Sequence, residues 1–152
     1  MDNSEYAEDM KIPSVLSSMF NETHFASYPF VVIPQVFEDA RGTILNIADG
    51  NFGDVAIIHS TKGSVRANHY HDNDWHFSYV VSGSMNYEWK NSVSDSTIQV
   101  VEVKGGQMVY SPPGVPHKMT FLEESIFVAV SGLSRDRENY EADTHRLAED
   151  FF

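Results

Sequence analysis

From Pro29 onward the sequence is a series of short apolar or alternating runs separated by Gly, Asn, Asp and Pro. Val, Ile, Tyr, Phe and Thr dominate these runs, and these residue types favour strands. No helical segment of about 10–15 residues lies between consecutive runs, so parallel βαβ units are not expected. The pattern predicts an all-β sandwich or barrel, and a jelly roll fits best. About nine candidate strands follow: YPFVVIPQVF, GTILNIA, DVAIIHS, FSYVVSG, MNYEWK, TIQVVEV, QMVYS, HKMTFLE and SIFVAVS.

The length of 152 residues suits a single domain with one apolar core. We expect residues 1–28 to form an N-terminal arm or tail, residues 29–132 the β-barrel, and residues 133–152 an acidic C-terminal tail or short helix. Within the first segment, IPSVLSSMF can form one amphipathic turn or a packing arm, and YEADTHRLAED near the C-terminus is the candidate helix.

The charge balance limits the partners of this chain. Twenty-two acidic residues against ten basic ones give a formal net charge of −12, which repels nucleic acid and anionic membrane surfaces. No apolar stretch approaches the roughly 20 residues that span a bilayer. There is no cysteine, so disulfides and thiolate chemistry are excluded. We expect a cytoplasmic protein that binds a small-molecule substrate and neither nucleic acid nor membrane.

Three of the seven histidines lie within the stretch NHYHDNDWH. On a strand, residues two positions apart face the same side, so His69 and His71 share one target. A turn-like segment follows, after which His76 can return to the same space. The Pro-rich turn SPPGVP delivers His117 at the start of another extended run, so four imidazoles are predicted to converge. The remaining histidines are expected to be ordinary surface or hydrogen-bonded residues; they are His24, His59 and His145.

Gathered imidazoles point to metal coordination, because neutral histidine nitrogens bind divalent transition metals and would repel one another if protonated. The cluster predicts a bound Zn, Fe, Mn or Ni ion, with an unmetallated acid/base cluster as the alternative. The predicted metal ligands are His69, His71, His76 and His117. Asp72 and Asp74 flank the cluster and either orient imidazoles or shape a turn.

Two segments carry a family resemblance. The stretch from Gly63 to Gly83, with its His-x-His pair, resembles the first motif of the cupin superfamily, and GQMVYSPPGVPH resembles the second. The resemblance implies a cupin jelly-roll barrel, also called a double-stranded β-helix, with short helical or irregular terminal segments. Two positions depart from the usual pattern: His76 stands where cupins usually carry a metal-binding Glu, and Phe121 where an Asn is often found. If His76 does not bind the metal, a three-histidine face with open positions remains.

A weaker resemblance bears on the reaction. VFEDARGTILNI is similar to a segment of cupins that epimerise or isomerise nucleotide-linked sugars, and RANHYH with VVSG looks like the metal-binding cupin domains of some capsular-polysaccharide enzymes. This implies epimerisation or isomerisation of a small carbohydrate or sugar nucleotide. Two other functions stay open: an Fe(II)-dependent dioxygenase, and a non-catalytic module that binds a sugar or anion.

Candidate site residues follow from that reading. The proposed catalytic residues are His71, His76 and Tyr79, and the proposed substrate-binding residues are Tyr87, Trp89, Phe121 and Arg41. Core packing explains most of the aromatic residues equally well, and Arg41 with Gly42 also fits a plain hairpin. Arg66 lies an odd number of positions before His69, so it should face the opposite way unless a bulge intervenes. The cupin resemblance also implies a homodimer.

Overall fold

The computed structural model describes residues 12–14, 16, 20–34 and 36–152. Residues 1–11, 15 and 17–19 of the predicted N-terminal arm, and hence most of IPSVLSSMF, lie outside the described residues. In this described part of the chain, a 3-10 helix, Glu22–Phe25, is followed by eleven strands and one α-helix, α1 (Arg137–Asp143). The strands are β1 (Val36–Asp39), β2 (Gly42–Leu45), β3 (Asp54–Ser60), β4 (Val65–His71), β5 (His76–Ser82), β6 (Ser84–Trp89), β7 (Gln99–Lys104), β8 (Met108–Ser111), β9 (His117–Phe121), β10 (Ser125–Ser131) and β11 (Thr144–Arg146).

The strands form two antiparallel sheets and a separate hairpin. One sheet has the order β3-β10-β5-β8, the other has the order β11-β4-β9-β6-β7, and β1 pairs with β2 alone. Chain neighbours repeatedly fall in different sheets, as in a jelly roll, and no parallel pair occurs among the described strands. The predicted all-β cupin jelly roll is confirmed. The one α-helix of the described residues is too short to cross a membrane.

Side-chain alternation places the core and the site inside the same barrel. On β9, His117, Met119 and Phe121 are buried and the residues between them are less so. The Phe121 ring stacks on Phe127 of β10 at 5.6 Å and fills the barrel around the far end of β9 from His117. A second aromatic cluster, formed by Phe20, Phe25, Trp75, Phe77 and Tyr110, packs the N-terminal segment against β5 and β8.

Two predicted elements differ from the structure. YPFVVIPQVF was expected as a strand, but of its described residues only Val36 and Phe37 belong to one, and Phe30 makes an isolated bridge to Val109. Prolines at 29 and 34 remove the backbone donors that a continuous strand requires. At the C-terminus, α1 ends at Asp143, earlier than expected, because Thr144–Arg146 pairs with β4 as an edge strand.

Candidate active site

The four predicted histidines lie together at one end of the barrel interior. Ring centroids are 4.5 Å apart for His69 and His71, 4.8 Å for His71 and His76, and 4.9 Å for His69 and His117. All four are at most 7% exposed. The adjacent strands β4 and β9 carry three of them, with His69 paired to His117, and β5 carries His76 from the facing sheet.

Hydrogen bonds fix which ring nitrogen carries the proton in two of these histidines. His117 Nδ1 lies 2.9 Å from the carbonyl of Val115, an acceptor only, so Nδ1 donates and Nε2 keeps its lone pair. His71 Nδ1 lies 3.2 Å from Thr144 Oγ1, whose own proton goes to the carbonyl of Tyr140. His71 Nδ1 therefore donates as well. His76 Nδ1 lies 3.0 Å from Ser131 Oγ.

Burial keeps His69, His71 and His117 neutral at physiological pH. Burial lowers the pKa of His69 to about 2, with further lowering by the neighbouring His117 and His71. The same cause lowers the pKa of His117 to about 3 and that of His71 to about 4. Imidazoles that stay unprotonated in this way present lone pairs that can bind a metal or accept a proton.

The donor set fits a divalent transition metal. The Nε2 atoms of His71 and His76 lie 3.2 Å apart, close to the roughly 3.3 Å that separates two nitrogens bound tetrahedrally at about 2.0–2.1 Å. Among the described residues, His71, Asp74 and His76 form a buried group whose ligand atoms lie within 4.8 Å of one another. His69 Nδ1 is buried without a hydrogen-bond partner, so this nitrogen is free to bind a ligand at the cluster.

Two aspartates, Asp72 and Asp74, lie in the turn between β4 and β5. Asp74 accepts hydrogen bonds from the backbone of Trp75 and Leu133 through Oδ1, and its Oδ2 lies 3.2 Å from His76 Nε2. Burial alone would raise the pKa of Asp74, but the His76 contact and the backbone donors lower it overall. Asp72, by contrast, pairs with His145 at 2.7 Å on the surface. Asp74 is thus the aspartate that contacts the cluster.

A cavity of about 140 Å³ opens beside the histidines. Its lining combines imidazoles with two guanidinium groups and a phenol: His69, His76, His117, Arg66, Arg135 and Tyr140. Arg135 pairs with Asp54 at 3.0 Å, whereas the hydrogen-bond partners of Arg66 are neutral. In a chain with a net charge of −12, Arg66 therefore provides a local positive charge that favours an anionic or oxygen-rich ligand.

Arg66 reaches the cavity because β4 is bulged. The pairing of β4 with β9 shifts between Ala67 and His69, and Ala67 and Asn68 adopt positive φ values of 63° and 55°. The bulge turns Arg66 and His69 to the same side. The guanidinium is anchored by Ser60 Oγ at 2.7 Å and the carbonyl of His59 at 2.8 Å.

Several predicted site residues do not line the cavity. Tyr79 lies on the opposite face of β5 from His76 and Ser78, an odd number of positions away, and packs against the core. Tyr87 and Trp89 are fully buried behind His117, with the Tyr87 ring stacked on it at 6.0 Å. Phe121 packs on Phe127, as described above. Arg41 has an 86% exposed side chain in the β1–β2 hairpin and pairs with Asp39.

The C-terminal segment supplies site residues that sequence reasoning missed. Arg135 and Tyr140 line the cavity, Thr144 contacts His71, and Asp143 accepts hydrogen bonds from the backbone of Asn73 and Asp74. Burial raises the pKa of Tyr140, so its phenol is protonated at neutral pH. No spacing rule connects these residues to the histidines, because the link is the long-range pairing of β11 with β4.

The two-sheet antiparallel barrel with its inward-facing histidines defines the class of the protein as a cupin jelly roll. Residues 37–144, more than half of the chain, match the family of polysaccharide biosynthesis C-terminal domains, and the chain belongs to that family. No curated protein sequence matches it.

Three examples illustrate the solved structures that resemble the chain. The capsular polysaccharide assembling protein CapF from Staphylococcus aureus is 25% identical with a TM-score of 0.59, over 80% of this chain and 33% of CapF. The dTDP-4-dehydrorhamnose 3,5-epimerase from Sulfolobus tokodaii is 20% identical with a TM-score of 0.64, over 82% and 85%. QdtA, a sugar 3,4-ketoisomerase from Thermoanaerobacterium thermosaccharolyticum in complex with TDP, is 18% identical with a TM-score of 0.61, over 77% and 86%. The chain spans about a third of the length of CapF.

Proposed function

We propose that the chain catalyses proton transfer at a carbon next to a carbonyl group of a sugar nucleotide, which results in epimerisation or ketoisomerisation. The observation that carries this proposal is the cavity, where unprotonated imidazoles face a protonated phenol and two arginines. One side of such a cavity can take a proton and the other can return one. The structural likeness to sugar-nucleotide epimerases and ketoisomerases supports the choice of substrate class.

We also propose a divalent metal bound by His69, His71, His76 and His117. The 3.2 Å separation of the His71 and His76 Nε2 atoms and the unpartnered His69 Nδ1 support these ligands. A bound metal would polarise the substrate carbonyl and stabilise the negative charge that develops on its oxygen. Arg66 and Arg135 contribute to the same task from the cavity wall, or hold an anionic group of the substrate.

Tyr140 is the cavity residue that we assign as proton donor, in place of Tyr79. Its ring lies 5.5 Å from that of His71, and its raised pKa keeps the proton on the phenol until a carbanion or enediolate accepts it. His76 has two roles that the same geometry supports. As a metal ligand it works with His71; as a general base it takes the substrate proton, and the Asp74 carboxylate at 3.2 Å stabilises the resulting imidazolium.

Metal content tests the site. Protein produced without a histidine tag should contain about one Zn, Fe, Mn or Ni ion per chain by elemental analysis. His71→Gln should lose the ion, whereas His59→Gln, at an exposed position on β3, should retain it. His76→Gln separates the two roles of that residue. If His76 is a metal ligand, the variant loses the metal. If His76 is the general base, the variant keeps the metal and loses proton transfer. A protein without metal that still exchanges substrate protons supports the acid/base cluster instead.

Proton exchange tests the reaction. In D₂O, TDP-4-keto-6-deoxyglucose should acquire deuterium next to its ketone, as followed by proton NMR. Tyr140→Phe should slow this exchange about 100-fold or more, while the matched variant Tyr79→Phe should leave it unchanged. If no nucleotide-linked ketosugar exchanges and the iron-loaded protein consumes oxygen with diketones or catechols, the chain is a dioxygenase. Binding of a sugar without either reaction defines a binding module.

The homodimer is a separate proposal. Strand β3 is an edge strand, and its outward side chains Val55 and Ile57 are 61% and 70% exposed. A second copy that covers this edge would pair the free backbone groups of β3 and bury the side chains of Val55 and Ile57. Light scattering of the purified chain measures the mass directly, and a monomer contradicts the proposal.

A further inference from the structure

One side chain of the C-terminal segment, Thr144, lies within hydrogen-bond distance of the histidine cluster. Thr144 opens β11 directly opposite His71 on β4, and directly opposed residues of an antiparallel pair extend to the same face of the sheet. Thr144 Oγ1 lies 3.2 Å from His71 Nδ1. The contact joins residues that are 73 positions apart in the chain.

The hydroxyl of Thr144 is not free to rotate. It donates to the carbonyl of Tyr140 at 2.5 Å, one of the α1 carbonyls that the end of the helix would otherwise leave unpaired. A hydroxyl has one proton, so only its lone pairs remain for His71. Thr144 Oγ1 therefore acts as an acceptor toward His71 Nδ1, because its proton is used by the Tyr140 carbonyl at the end of α1.

Asp143 does not compete for this role. Its Oδ2 lies 3.8 Å from His71 Nδ1, which is longer than a hydrogen bond. Its two oxygens already accept from Asn73 N, Asn73 Nδ2 and Asp74 N, each at 2.9 Å. These bonds join the β4–β5 turn to the end of α1, next to Thr144, so Asp143 supports the position of Thr144 and does not replace it as the partner of His71.

We propose that Thr144 is a positioning residue that holds His71 in the tautomer protonated on Nδ1, so that Nε2 presents its lone pair beside His76 Nε2. Without the acceptor, His71 can carry its proton on either nitrogen, and a proton on Nε2 blocks both metal binding and proton uptake at that atom. The assignment of a tautomer depends only on the hydrogen bonds. Its consequence for metal affinity rests on the proposed function.

The tautomer is read directly by nitrogen-15 NMR of the histidine rings in the metal-free protein at pH about 8. His71 resonances are assigned by their loss in His71→Gln. In the wild type, His71 should show a protonated Nδ1 and an unprotonated Nε2. Thr144→Val keeps the branched shape that suits a strand and removes the hydroxyl, so His71 should shift toward the Nε2-protonated form. Thr144→Ser should restore the wild-type spectrum.

Two internal controls accompany this spectrum. His117 donates to a backbone carbonyl, so its tautomer should not change in Thr144→Val. Thr120→Val makes the same substitution on β9, on the face opposite to His117, and should leave every histidine unaffected. A wild-type His71 protonated on Nε2, or an unchanged His71 in Thr144→Val, overturns the proposal whether or not the chain binds a metal.

Zn²⁺ affinity gives the second readout, measured by competition with a chromophoric chelator. Thr144→Val should bind Zn²⁺ about 10–100-fold more weakly, as expected when the partner of a ligating histidine is removed. Thr144→Ser and Thr120→Val should stay close to the wild type. If the wild type binds no Zn²⁺, the metal proposal fails and the NMR result still decides the role of Thr144. If Thr144→Val binds Zn²⁺ as tightly as the wild type, Thr144 does not contribute to metal affinity through His71, and that part of the proposal is overturned.

Discussion

Arg66 and His69 line the same cavity although they stand three positions apart on one strand. In a regular strand such residues face opposite sides, and the bulge at Ala67 and Asn68 removes the conflict. Asn68 is held by the C-terminal segment. Its side-chain amide nitrogen donates to the carbonyls of Leu147 and Ala148, and its backbone carbonyl accepts from the backbone N–H of Leu147. Contacts with the C-terminal segment, at Leu147 and Ala148, therefore stabilise the bulge in addition to the contacts within the barrel.

Ala67→Gly should preserve the fold and raise the free energy of unfolding by up to about 1 kcal/mol, because alanine at a φ of 63° bears a steric cost that glycine does not. The matched substitution Ala129→Gly on β10, where the backbone is regular and the methyl group is buried, should instead lower it by about 1–2 kcal/mol. Urea unfolding measures both. A larger loss for Ala67→Gly than for Ala129→Gly would contradict the left-handed bulge.

Arg66→Ala should weaken the binding of TDP about 10–100-fold, since charge-assisted hydrogen bonds contribute about 1.5–3 kcal/mol each. Arg66→Lys should give an intermediate loss, because it keeps the charge but not the bonds to Ser60 and His59. Arg41→Ala is the control, because Arg41 lies in the exposed hairpin. Calorimetric titration measures all three. A loss of TDP affinity in Arg41→Ala with none in Arg66→Ala would place the anion at the hairpin and not in the cavity.

The metal-free protein should lose stability as the pH falls from about 7.5 to 5.5. His69, His71 and His117 have native pKa values of about 2, 4 and 3, below the ordinary 6.5. The unfolded chain thus binds protons that the native state does not bind. Each of the three histidines lowers the free energy of unfolding by up to about 1.4 kcal/mol over this interval, about 4 kcal/mol in total. Urea unfolding at the two pH values measures the loss. His69→Leu should reduce it by about a third, and a pH-independent stability contradicts the neutral cluster.

Tyr87→Phe should lower the free energy of unfolding by about 1–2 kcal/mol and leave the KM for the substrate unchanged. The Tyr87 hydroxyl contacts Ser111 Oγ at 2.8 Å in the core, and its loss leaves a buried partner unsatisfied. Ser111→Ala should cost a similar amount, and the double variant should cost less than the sum of the two. A raised KM in Tyr87→Phe would return this residue to the substrate-binding set.

The parts of the site that follow from local periodicity were predictable, and the parts that depend on pairing between distant segments were not. Alternation predicts that His69 and His71 share a face, and the Pro-rich turn predicts the place of His117. Alternation failed at Arg66, because a bulge is invisible to it. It also argues against Tyr79, which is three positions from His76.

Tyr140 illustrates the other limit. It lies in a charged segment whose composition resembles a tail, and its position at the cavity depends on the pairing of β11 with β4 and on the grip of Asp143 on the β4–β5 turn. The fold class was predictable for the opposite reason, since each strand carries its own apolar pattern and turn residues. Local sequence patterns thus predict the barrel, whereas the cavity wall that contains Tyr140 depends on tertiary contacts between distant segments.

The 73 positions between His71 and Thr144 have a consequence for biosynthesis. A chain grows from its N-terminus, so β3 to β10 leave the ribosome before Arg135, Tyr140 and Thr144 do. A nascent barrel can assemble its four imidazoles while it still lacks one cavity wall and the partner of His71. The stretch that follows β10 therefore completes the site on strands that are made earlier, and a message truncated directly after β10 would lack the cavity wall formed by Arg135 and Tyr140.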